Sequence, residues 1–221
     1  MTVRVNKPAV NLREELASLR NQGGYSEQQF YFDSLVTNGT FDVDVSGWTH
    51  VPHGAGAVSW SSGTMSLDAV DASNRAKVWT SVSTEIGRKY TLVFTTTASI
   101  SHFNIGTTAG GYQIKANSNI SAGTYSNTFT ATTTTTYLYH ETWVTGGVLD
   151  NVSVFEVDAN DDVIHTMPKG WVPKDVFEDG LLQREGAAHD YEVVYDGFDY
   201  KVKPTVAPTA TTETCVIGVK A

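Results

Sequence analysis

Along most of this chain apolar side chains recur at alternate positions, in short runs broken by glycine, serine and asparagine. Gly111-Tyr112-Gln113-Ile114-Lys115 and Tyr125-Ser126-Asn127-Thr128-Phe129 alternate cleanly, and the stretch Arg75 to Val82 does so imperfectly. Tyr90-Thr91-Leu92-Val93-Phe94 is continuously apolar or β-branched, as a strand buried on both faces would be. Thr136 to Trp143 and Val152 to Val157 complete the series, with turn signals at Ser61-Ser62-Gly63, Gly110-Gly111 and Gly146-Gly147. Short strands punctuated in this way predict a sandwich or barrel over residues 36–157.

The ends of the chain read differently. Leu12, Leu16 and Leu19 recur at helical spacing, Asn11 stands at a cap position with Glu14 three residues on, and Gly23-Gly24 closes the run. So short a helix is marginal alone in water and must dock on something. Val3, Val5 and Val10 ahead of it suit an extended arm, so residues 1–35 are expected to be a docking segment whose contacts are Val3, Val5, Val10, Leu12, Leu16 and Leu19. Residues 158–170 carry Asp158-Ala159-Asn160-Asp161-Asp162 and Met167-Pro168-Lys169-Gly170 and read as a linker. Residues 171–221 then form a small β module. It has strands at Val172–Phe177, Tyr191–Tyr195 and Thr214–Val219, and a hairpin through Asp196-Gly197 into Tyr200–Lys203. A module of that size is near the lower limit for folding alone and is expected to lean on the sandwich or on another copy. The fold class is therefore all-β, with an N-terminal arm and short helix, a central sandwich and a small C-terminal module.

Charge narrows the partners. The 221 residues carry a net charge of −9 and only 18% charged side chains, so neither nucleic acid nor an anionic membrane is an expected partner. No apolar run is long enough for a transmembrane helix. The opening Met1 to Val10 lacks the apolar stretch of a secretory signal, and the chain is expected to be made and used without export. The single cysteine, Cys215, sits in the apolar run Thr214 to Ile217 and reads as a buried strand residue.

Two stretches carry a resemblance. Leu35-Val36-Thr37-Asn38-Gly39-Thr40-Phe41-Asp42 with Ser46-Gly47-Trp48, and Val148-Leu149-Asp150-Asn151-Val152-Ser153-Val154-Phe155, resemble the first and last strands of jelly-roll carbohydrate-binding modules of bacterial glycanases. The resemblance implies a jelly roll over residues 36–157, Trp48 in the core, and a structural calcium held by Asp42 and Asp150; otherwise no cofactor is expected. Val176-Phe177-Glu178-Asp179-Gly180-Leu181-Leu182, Asp190-Tyr191-Glu192-Val193 and Val206-Ala207-Pro208 are similar to a small unit of bacteriophage tail fibres. Val3 to Glu14 likewise resembles the openings of phage structural proteins. These resemblances imply a virion protein made in the host cytoplasm. Its partners would be capsid, portal, tail or fibre proteins, in a homo-oligomer for which a trimer is the first expectation.

Catalytic chemistry is not legible. There is no nucleophile elbow and no phosphate-binding glycine loop. Gly54-Ala55-Gly56 fails at the third glycine of a dinucleotide pattern, and His50 and His53 lack neighbouring ligands for a metal. Asp158, Asn160 and Asp162 begin a calcium-loop pattern that Val163 and Lys169 break. Only Glu141 lies within a predicted strand among aromatic neighbours, one acid where glycoside cleavage needs two. The expectation is a non-enzymatic component of a virion, a tail fibre or tail accessory, with capsid decoration or host-glycan binding as the alternatives. Trp60, Trp79, Tyr112, Tyr125, Tyr137, Tyr139 and Trp143 are the aromatic candidates for sugar stacking, with Trp79, Tyr112, Tyr139 and Trp143 foremost. In Thr136–Trp143, period two places Tyr137, Tyr139, Glu141 and Trp143 on one face and Leu138, His140 and Thr142 on the other.

Overall fold

A computed structural model of the chain describes residues 27–220, apart from 52, 144–145 and 187. The N-terminal arm, the helix and its docking residues Val3, Val5, Val10, Leu12, Leu16 and Leu19 lie outside the described residues. Within them the chain is all strand and loop, with no helix. In chain order the strands are β1 (Glu27–Tyr31), β2 (Thr49–His50), β3 (Ala57–Ser61), β4 (Thr64–Asp68), β5 (Ala76–Ser83), β6 (Lys89–Thr96), β7 (Ile100–Gly106), β8 (Lys115–Ile120), β9 (Gly123–Thr130), β10 (Thr135–Thr142), β11 (Gly147–Val157), β12 (His165–Thr166), β13 (Trp171–Glu178), β14 (Leu181–Leu182), β15 (Tyr191–Tyr195), β16 (Tyr200–Pro204) and β17 (Thr214–Lys220).

Strands β2 to β11 form a sandwich of two antiparallel five-stranded sheets, ordered β2-β5-β10-β7-β8 and β3-β4-β11-β6-β9. Several consecutive strands alternate between the sheets, as in a jelly roll. The inward positions supply the core: Val78 and Val82 from β5, Leu92 and Phe94 from β6, Phe103 and Ile105 from β7, Leu138 from β10, and Leu149, Val152 and Val154 from β11. The opening segment closes this core from one end. Leu35 N–H donates to Val154 O at 3.0 Å and Val152 N–H to Gly39 O at 2.9 Å. Phe41 is fully buried and stacks on Trp48 with ring centroids 5.5 Å apart. Trp48 Nε1 in turn donates to Asn38 O at 3.2 Å. So the two stretches at opposite ends of the sandwich sequence meet in space. They meet where β11 bulges between Asp150 and Ser153, with Asn151 left-handed at φ +51°.

The expected strand Gly111–Lys115 is instead loop, and β8 begins at Lys115. The Gln113 side chain folds back to accept from Thr107 N–H at 3.1 Å and to donate to Thr108 Oγ1 at 3.2 Å. That local closure competes with a ladder.

The C-terminal module is built from both ends of the described chain. One sheet is ordered β1-β17-β13-β14 and the other β12-β16-β15. Its core is Met167, Val176, Tyr191, Val202 and Val216, with Phe30, Phe32, Trp171, Val193 and Tyr200 packed against it. Strand β1 precedes the sandwich in sequence yet pairs with the last strand, from Glu27↔Val219 to Tyr31↔Cys215. Residues 27–32, expected within the docking segment, thus belong to this module. The expected linker does too: it carries β12, and Val163, Ile164, His165 and Met167 are buried. Its acidic start does bond its own backbone, with Asp158 Oδ1 accepting from Asn160 N–H at 2.7 Å and Asp162 N–H at 3.1 Å. Cys215 is half-buried rather than buried, because it lies on the face of β17 opposite the buried Thr214 and Val216.

Ion pairs tie the two bodies together. Arg88 Nη1, at the foot of β6, donates to Glu156 Oε1 at 2.6 Å and to Thr166 Oγ1 of β12 at 3.0 Å. Lys203 of β16 pairs with Asp162 at 2.6 Å and Asp158 at 3.3 Å, and Lys89 pairs with Asp161.

Two outcomes follow for stability. A Cβ on Gly39 would lie 1.9 Å from Val152 O, an overlap only backbone displacement can relieve. Gly39→Ala is expected to cost about 3 kcal/mol or more in urea unfolding, with a loss under ~0.5 kcal/mol counting against this contact. His140 is fully buried among Trp48, Phe94 and Phe103, with neither ring nitrogen partnered among the described residues. Burial depresses its pKa from 6.5 to about 3. The unfolded chain therefore binds the proton first. The proton-linked penalty is absent above 6.5 and grows as pH falls from there toward 3, at up to about 1.4 kcal/mol per pH unit, on top of the pH-independent cost of burying the unpartnered ring. His140→Leu is expected to raise stability by about 1–3 kcal/mol at neutral pH and to flatten the acid limb of a Tm-against-pH profile. An unchanged acid limb would remove the assignment.

Candidate ligand face of the sandwich

Strands β5 and β10 lie side by side, with Trp79 opposite Tyr139, Ser81 opposite Tyr137 and Lys77 opposite Glu141. Inward positions of β10 are Thr136, Leu138, His140 and Thr142; outward ones are Tyr137, Tyr139, Glu141 and, just past the strand end, Trp143. The period-two reading thus matches the register. From β7 on the other side, Asn104 stands opposite Tyr139 and His102 opposite Glu141. The outer face therefore carries a continuous set of large side chains where a solvated sheet face would ordinarily carry short polar ones.

These side chains touch one another. The Trp79 and Tyr137 rings meet edge to face at 5.4 Å, and His102 lies 4.5 Å from Trp143. The Arg75 guanidinium, immediately before β5, sits 4.4 Å over the Trp143 ring. Its Nε donates to Ala72 O at 2.5 Å and its Nη1 to Glu141 Oε1 at 3.1 Å. Lys77 Nζ approaches the same carboxylate oxygen at 3.6 Å. Burial alone would raise the Glu141 pKa, but the hydrogen bond from Arg75 and the charge of Lys77 hold it below the ordinary carboxylate range. Burial, then the neighbouring Glu141, pushes the Tyr139 phenol well above its usual value. Tyr139 is almost covered, walled by the β7–β8 loop, where a Cβ on Gly110 would lie 3.8 Å from its ring. Asn104 Oδ1 and His102 Nδ1 are buried without a partner among the described residues. Such groups are uncommon in folded proteins and cluster at functional surfaces.

The remaining candidates are elsewhere. Tyr112 is exposed on the β7–β8 loop. Trp60 belongs to β3 of the opposite sheet, and its Nε1 donates to Phe41 O at 2.6 Å. Tyr125, on β9 of that sheet, stacks on Phe94 at 5.3 Å. Asp42 and Asp150 lie on the two segments joined by the Gly39–Val152 contact, and burial first, then the charge of Asp42, raises the Asp150 carboxyl. Their oxygens already accept donors, Thr40 Oγ1 on Asp42 at 2.8 Å and Asn151 N–H and Nδ2 on Asp150 at 2.7 and 2.9 Å. Among the described residues no third His, Cys, Asp or Glu joins them in a metal cluster. Calcium takes about six to eight oxygens, so these side chains do not by themselves make its cage.

Sequence reasoning named the aromatics of the face but missed Arg75, Lys77, His102 and Asn104. The alternation Arg75-x-Lys77-x-Trp79 does place those two cations and Trp79 on one side of a strand. The meeting of those cations with Glu141 depends on pairing across strands 66 residues apart.

No family model matches the chain, and no curated protein is similar to it. Among solved structures it is similar to the enzymatically active domain of tailspike protein 4 of bacteriophage CBA120, at 16% identity and TM-score 0.46 over 56% of this chain and 21% of that one. It is also similar to a structure described as a CBM4, at 16% identity and TM-score 0.46 over 55% of this chain and 99% of that one. A third is the CBM1 of BiXyn10A, at 15% identity and TM-score 0.44 over 55% and 97%.

Proposed function

We propose that this chain is a non-enzymatic binding protein that holds polysaccharide against the outer face of the β2-β5-β10-β7-β8 sheet. One observation carries the reading: Trp79, Tyr137 and Trp143 lie on the outer side of two adjacent strands beside an ordered charged cluster. Aromatic rings offer flat apolar faces to the C–H faces of a pyranose, and fixed polar groups beside them take its hydroxyls, the usual division of labour in a small-molecule site. Glu141, the acid of this face, is held as a carboxylate by Arg75 and Lys77. A general acid for glycoside cleavage needs the opposite shift.

The similarity of the C-terminal strands and of Val3 to Glu14 to phage appendage proteins favours a place on a virion tail fibre or tail accessory. There the sandwich would meet host-surface polysaccharide, with the segment before β1 as the attachment to other virion proteins and a trimer as the assembly. The braced junction of Arg88, Glu156, Thr166 and Lys203 suits that role, because it fixes the direction in which the face points.

On a polysaccharide array, saturable binding is expected that falls at least about tenfold in Trp79→Ala and Trp143→Ala, with near-ultraviolet circular dichroism unchanged apart from the lost indole. Binding that survives both substitutions would move the site elsewhere. In reconstituted particles, a chain lacking residues 1–26 is expected to lose its occupancy; full occupancy without them would sink the attachment role.

A further inference from the structure

Resting on the polysaccharide reading of this face, we propose that its ligand is a carboxylate-bearing glycan, a polyuronate, and that Arg75 and Lys77 are the groups that select it. The face holds two cations for one acid. Glu141 Oε1 is shared by Arg75 Nη1 at 3.1 Å and Lys77 Nζ at 3.6 Å, and the three side chains are only 29%, 18% and 9% exposed. A single cation suffices to neutralise one carboxylate, so the cluster carries a surplus positive charge. The second cation is a cost to a site for neutral sugars, which gains nothing from it, and an asset to a site for acidic ones.

The geometry suits a carboxylate. Arg75 is fixed at three points: Nε on Ala72 O at 2.5 Å, Nη1 on Glu141, and its guanidinium carbon 4.4 Å from the centre of the Trp143 ring. A guanidinium pinned in this way loses little further freedom when its planar fork meets a second carboxylate. Trp79, two residues on from Lys77, lies on the same side of β5, so a uronic acid residue stacked on its ring would bring its carboxylate towards the two cations. Lys77, at 3.6 Å from Glu141, is beyond hydrogen-bond distance of that partner, so its ammonium donors are not spent there. The nearby Asp71 does not cancel the surplus at contact distance, since its Oδ1 is tied to Ser73 N–H at 2.7 Å and Asn74 Nδ2 at 3.0 Å within its own turn.

The charge of the whole chain makes the test sharp. At −9 the protein as a whole repels polyanions, so diffuse attraction cannot mimic a local cation site. The full chain would be run in affinity electrophoresis through gels containing polygalacturonate, alginate or hyaluronate, and in parallel through the carboxyl-reduced form of each. Retardation is expected in at least one native polymer, at least about tenfold weaker in its reduced form, and weakened by added salt. Lys77→Gln is expected to lose most of the retardation and Lys77→Arg to keep it, with both variants matching the parent in Tm. Equal retardation by native and reduced polymers would overturn the charge assignment and leave polysaccharide binding standing. Binding confined to neutral glycans on the array would do the same. Absence of binding to every glycan, acidic or neutral, would overturn both.

Discussion

The sandwich depends on one close backbone contact, that of Gly39 with Val152. Strand β11 lies in the middle of its sheet, between β4 and β6, and it cannot both continue its ladder and reach the opening loop. The bulge with left-handed Asn151 turns Val152 N–H out of the ladder onto Gly39 O, and only a residue without a side chain can stand that near. From this contact follows the burial of Phe41, itself left-handed at φ +53°. Phe41 supports Trp48, whose ring lies 5.9 Å from His140 on the inner side of β10. The outer side of that strand is the aromatic face. A backbone contact at the end of the barrel-like core thus fixes the strand on which the binding surface is displayed.

That strand is under opposing demands. Inward it holds His140, a neutral imidazole among three aromatic rings with no hydrogen-bond partner among the described residues. Outward it holds Glu141, a carboxylate kept charged by two cations at a nearly buried position. Both choices cost stability relative to apolar or short polar residues. The outward one has a functional account in ligand recognition. The inward one has no partner that explains it.

The small module answers a different constraint. Its strands after residue 158 lack a sufficient apolar surface until Phe30 and Phe32 arrive from the other end of the chain. Gly218, central in β17, leaves the room they need: a Cβ there would meet Phe30 Cε2 at 2.9 Å and Met167 Cε at 2.8 Å. The sandwich is therefore an insertion within a module closed by both ends. Its return crossing at residues 157–166 is braced by Arg88 and Lys203 rather than joined by a slack tether.

Period-two alternation made the β class, most strands and the face shared by Tyr137, Tyr139, Glu141 and Trp143 legible in the sequence, because side-chain direction in a strand is a local property. The Asp196 turn was legible for the same reason: its carboxylate caps the N–H groups of Phe198 and Asp199 within the turn itself. What only the tertiary structure decided was pairing at long range. Local pattern is blind to which strand lies beside which, so it could not show β1 on β17, the buried role of residues 163–167, or Arg75 and Lys77 meeting Glu141. Nor could it show the Gln113 side chain replacing a ladder, since that choice turns on one side-chain bond competing with neighbours supplied by the fold. Local periodicity sets which way each side chain faces; register between distant strands sets what it faces.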